Sequence, residues 1–101
     1  MPDKIPVACT LSSAELRERE ATLFAQFKWL VTAREGIDEG YSFRLPGDRE
    51  CLALVARILS AERECCPFLK FELTAEPNQG PLTLRITGPI GAKEVIKTLL
   101  S

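Results

Sequence analysis

The chain has 101 residues, enough for one core, and 46% of them are apolar, so a single domain can fold without disulfide staples. Thirteen Lys and Arg against fourteen Asp and Glu are interspersed along it. No basic stripe is present to neutralise phosphates, which argues against nucleic acid and against a charged membrane surface as partners.

Residues 1–11, with Pro2 and Pro6, read as an irregular arm at the start of one domain spanning 1–101. They hold no apolar leader segment, and no apolar run approaches the roughly 18 residues a bilayer span requires. A cytoplasmic location is the expectation, and with it free thiols at the four cysteines, Cys9, Cys51, Cys65 and Cys66.

Ser12 with Glu15 three residues later forms a capping-box pattern, which starts the first helix. Leu16, Leu23, Phe27, Leu30 and Val31 then recur at helical spacing beside Phe24, and Glu15 to Glu20 carry the charges of the first turns. Trp29 falls off the centre of that stripe, which suits packing at a core margin or against a second subunit.

Gly36 and Asp38-Glu39-Gly40 interrupt the helical period, and Tyr41, Phe43 and Leu45 then alternate with Ser42 and Arg44 as a half-buried strand. A partner strand over Val31 to Ile37 would close a hairpin, in competition with the end of the helix. Pro46-Gly47 is a break, Asp48 is a good N-cap, and a second helix follows from about Arg49 to Cys65. Cys51, Leu52, Leu54, Val55, Ile58 and Leu59 form its buried side. Pro67 forces Cys66 out of helical geometry and ends the helix there.

Leu69, Phe71 and Leu73, then Leu82, Leu84 and Ile86, alternate with polar residues on either side of Pro77-Asn78-Gln79-Gly80, a hairpin pattern. Gly88-Pro89 ends the second of these strands. Ala92, Val95, Ile96, Leu99 and Leu100 supply the apolar face of a last helix. The expected fold is α+β, in the order α-(β)β-α-ββ-α, with a mainly antiparallel sheet of three or four strands covered by helices. Strand order is not readable, since Tyr41 to Leu45 can pair with either later strand.

The chemistry concentrates at the end of the second helix. Glu62 continues the apolar stripe, and Cys65 and Cys66 follow at i+3 and i+4, so one carboxylate and two thiols share a face. A carboxylate at a buried edge needs a partner, which could be Arg57, Arg63, a backbone amide, a metal ion or a neighbouring subunit; otherwise it bends to solvent at a frayed end. With no His in the chain, a site for zinc or another thiophilic ion would draw on Cys9, Glu62, Cys65 and Cys66. Adjacent cysteines are a weaker zinc signal than a spaced Cys-x-x-Cys pair.

Two other readings stand beside metal binding. A helix C-terminus disfavours thiolate, which weighs against a redox enzyme. Burial as small hydrophobes fits Cys51 amid its apolar neighbours and would also serve the pair, leaving a homo-oligomerisation or interaction module. Gly88-Pro89-Ile90-Gly91 precedes a helix but lacks the Lys-Ser/Thr of a phosphate loop. No catalytic residue is assigned, and a non-enzyme is the favoured expectation.

The run Ala61-Glu62-Arg63-Glu64-Cys65-Cys66-Pro67-Phe68-Leu69, the following Phe71-Glu72-Leu73, the later Leu84-Arg85-Ile86-Thr87-Gly88-Pro89 and Cys9-Thr10-Leu11 resemble a group of short bacterial proteins of no established activity. Some of that group occur beside heavy-metal resistance functions, mercury especially. The resemblance implies a soft-metal site at Cys9, Glu62, Cys65 and Cys66, and leaves Cys51 structural.

Overall fold

A computed structural model describes residues 14–100, and side chains over 18–100. The capping pattern at Ser12 and the arm with Cys9 lie outside the described residues. Three helices and four strands follow in the order α1 (Ala14–Leu30), β1 (Ala33–Ile37), β2 (Gly40–Leu45), α2 (Arg49–Cys65), β3 (Lys70–Ala75), β4 (Leu82–Thr87) and α3 (Ala92–Leu99). This is the expected α+β order, with the bracketed strand present. Helix α1 stops at Leu30, so only Ala33–Ile37 of the 31–37 segment is left to pair with β2.

The sheet is antiparallel throughout, in the order β1-β2-β4-β3. Its register sets Tyr41, Phe43 and Leu45 opposite Ile86, Leu84 and Leu82, and Phe71 and Leu73 opposite Ile86 and Leu84. Because side chains alternate along a strand, these residues share one face. The other face carries Arg44, Arg85, Glu72 and Thr74, all exposed. All three helices contribute to the core on the apolar face: Phe24 and Phe27 from α1, Leu54, Val55 and Ile58 from α2, and Ile96 and Leu100 from α3. Phe27 stands at its centre, edge-on to Phe24 at 6.2 Å and to Phe43 at 5.1 Å, an arrangement that aromatic quadrupoles favour.

Local signals place the chain reversals. Asp48 caps α2, its carboxylate accepting the Cys51 backbone N–H at 3.3 Å. Asn78 and Gln79 both adopt positive φ (61° and 56°), and the Gly80 amide donates to the Pro77 carbonyl, a turn whose twist suits the β3–β4 hairpin. Gly40 has a steric role: a Cβ there would strike the Ile86 carbonyl on β4. No helix among the described residues is long and apolar enough to cross a membrane.

Two expected burials are corrected. Trp29 does not pack at a core margin; it is 88% exposed. It follows Phe27 by two residues, about 200° around the helix, so it points away from the core. Leu52 is 44% exposed, since it lies about 100° from Cys51 and the stripe is centred on Cys51, Val55, Ile58 and Glu62. Leu73 is also exposed, because β3 is an edge strand.

Candidate metal centre

Proline and helix geometry together assemble the thiol pair. The i+4 bond from the Cys66 amide to the Glu62 carbonyl, at 2.7 Å, closes the last turn of α2. Cys66 then leaves helical geometry (φ −124°, ψ 75°), as the residue before Pro67 must. Its carbonyl accepts from the Leu69 amide, which turns the chain into β3. Both cysteines are buried, in a small apolar cluster with Phe68 and Ala92 that Leu69, Val95 and Leu99 border. Their sulfurs lie 3.6 Å apart.

Glu62 faces this pair. It is only 1% exposed, and neither carboxylate oxygen has a hydrogen-bond partner. Arg57 and Arg63 are exposed and do not serve as its partner, and the carboxylate does not bend to solvent. The group that meets it comes from α1: Glu20, half-buried, with one oxygen also buried and unsatisfied. Glu20, Glu62, Cys65 and Cys66 each offer one donor atom, and these four atoms lie within 4.8 Å of one another.

Two carboxylates cannot satisfy each other, since each only accepts; a proton or a cation must stand between them. Desolvation, and then the neighbouring Glu20 carboxylate, push the Glu62 carboxyl up to about 9. At neutral pH the Glu62 carboxyl therefore keeps its proton.

Of the expected site residues, Glu62, Cys65 and Cys66 converge, and Cys9 lies outside the described residues. Cys66 is disulfide-bonded, against the expectation of a free thiol there, so its sulfur can bind a cation only after reduction. Cys51 is elsewhere, buried under the Asp48 cap, with its thiol pushed up to about 11 by burial and by the adjacent Asp48. It belongs to the core. Glu20 is the residue that sequence reasoning missed. The signal was present: Glu20 lies seven residues before Phe27 and so falls within about 20° of the centre of the α1 stripe, yet it reads as one of several first-turn acids.

No known family model, curated protein or solved structure matches the chain.

Proposed function

We propose that the protein binds a thiophilic metal ion through Cys65 and Cys66 in their reduced state together with Glu62. The observation that carries this reading is the Glu62 carboxylate, buried without a hydrogen-bond partner and directed at two sulfurs. A chain under selection for stability alone gains nothing from an unsatisfied buried acid, whereas a cation supplies the missing partner.

With Cys66 in its disulfide, the sulfurs already lie near the separation that two thiolates on one ion would take. Two thiolates on one tetrahedral ion, each about 2.3 Å from it, sit about 3.8 Å apart. The sulfurs here lie 3.6 Å apart. Adjacency in sequence is thus no obstacle, because the break at Pro67 turns Cys66 back beside Cys65. The resemblance to proteins found near heavy-metal resistance functions points to the same class of cation. Zinc or another thiophilic ion fits the donor set.

The test is metal analysis of protein purified anaerobically under reductant, with and without added Zn(II). One ion per chain is expected, lost in Cys65→Ser/Cys66→Ser. Equal uptake by that double variant would remove the reading.

A second reading rests on Trp29, exposed at the rim of a shallow groove with Leu30, Ala53, Leu54 and Arg57 between α1 and α2. Docking of a second copy there would make the chain a homodimer with structural cysteines. Sedimentation of wild type and Trp29→Ala tests it, and two monomeric species at micromolar concentration would end it.

A further inference from the structure

We infer that the fourth donor of this centre is Glu20, so that a bound ion would clip the middle of α1 to the end of α2 in a site of two thiolates and two carboxylates. The inference deepens the metal-binding reading above and depends on it.

Three observations lead there. The Glu20 donor atom is within 4.8 Å of those of Glu62, Cys65 and Cys66, so four donors are gathered among the described residues, the fourth available once Cys66 is reduced. One Glu20 oxygen is buried and unsatisfied, although the residue is only half-buried and its side chain is long enough to reach solvent. Beside it, the fully buried Glu62 carboxylate presents two oxygens that no donor reaches. A lone acid near the surface would turn to water; this one is held against a second acid.

The donor set narrows the cargo. Four anionic ligands arranged about one point, two soft and two hard, suit a four-coordinate divalent ion of the zinc, cobalt or cadmium kind. The same geometry gives the ion a mechanical role. Glu20 is the only one of the four donors on α1, so binding through it ties together two helices that otherwise meet through apolar contacts.

The test uses the full reduced chain, titrated with Co(II) and Zn(II), in wild type, Glu20→Gln, the exposed control Glu18→Gln, and Cys9→Ser. Glu20→Gln should weaken Zn(II) binding by at least about 10-fold and alter the visible Co(II) spectrum. Glu18→Gln and Cys9→Ser should bind as wild type does. Zinc-edge absorption spectroscopy of the wild type provides a readout that needs no variant to fold: two sulfur and two light-atom ligands are expected, and with no His in the chain the light atoms are oxygen. Three sulfurs at the ion, or normal binding by Glu20→Gln with a loss in Cys9→Ser, would overturn the assignment of Glu20 while leaving the metal-binding reading intact. Failure of the wild type to take up either ion would overturn both.

Discussion

Replacing Glu62 with methionine should make the protein more stable in chelator while it removes a ligand of the proposed metal site. The folded chain holds the Glu62 carboxyl up at about 9, against an ordinary value of 4.5. At pH 7 the unfolded chain has shed a proton that the folded chain keeps. Each pH unit of that gap costs about 1.36 kcal/mol, so the acid destabilises the fold at pH 7 by on the order of 3 kcal/mol. The sign follows from which state binds more protons. Below about 4.5 both states are protonated and the penalty vanishes; as pH rises toward 9 it grows, and stability falls. Methionine has nearly the same length, carries no charge, and packs against Cys65 and its apolar neighbours. Glu20, half-buried, can then turn to water. Urea unfolding in chelator and reductant, at pH values from 6 to 9, measures the effect. The wild type should lose stability across that range, and Glu62→Met should remove most of this slope and be more stable by on the order of 3 kcal/mol at pH 7. Parallel pH profiles, or a variant less stable than wild type at pH 8, would refute the account of Glu62 as an unsatisfied acid.

Other substitutions probe the frame around the centre. Phe27→Ala removes the ring that stands between Phe24 and Phe43 and should cost about 3–5 kcal/mol in denaturant unfolding; a loss below about 1 kcal/mol would show that the core is not centred there. Cys51, with its thiol pushed up to about 11 and no exposure, should resist alkylation in the native state at pH 8 and react only in urea, as read by mass spectrometry; rapid native labelling would contradict its burial. Oxidised protein, in which the Cys66 sulfur is committed to a disulfide, should bind Zn(II) at least about 10-fold more weakly than protein kept in reductant. Equal affinity in the two states would exclude Cys66 as a ligand.

Much of the fold can be read from local patterns, since each helix and strand carries its own period and its own stops. Asp48 before α2 and Pro67 after it bound that helix at the residues observed. The β3–β4 hairpin follows from two alternating runs across Pro77 to Gly80. Strand order is different in kind. Tyr41, Phe43 and Leu45 present the same alternation to any partner, and only closure of the whole layer, with α2 crossing between β2 and β3, sets β4 beside β2. Trp29 and Leu52 show the limit of reading composition within a helix: both are apolar, yet rotation about the axis turns them outward.

The candidate centre divides in the same way. The chain order by itself joins Glu62, Cys65 and Cys66, because i, i+3 and i+4 share a helix face and a following proline sets the turn. No local rule relates Glu20 to them across forty-two residues. Their meeting depends on how α1 packs over α2, a matter of apolar burial that gives no local sign of which charges it will carry inward. An acid on an apolar stripe is legible as an anomaly, but that it faces a second acid and two sulfurs is decided by tertiary packing alone.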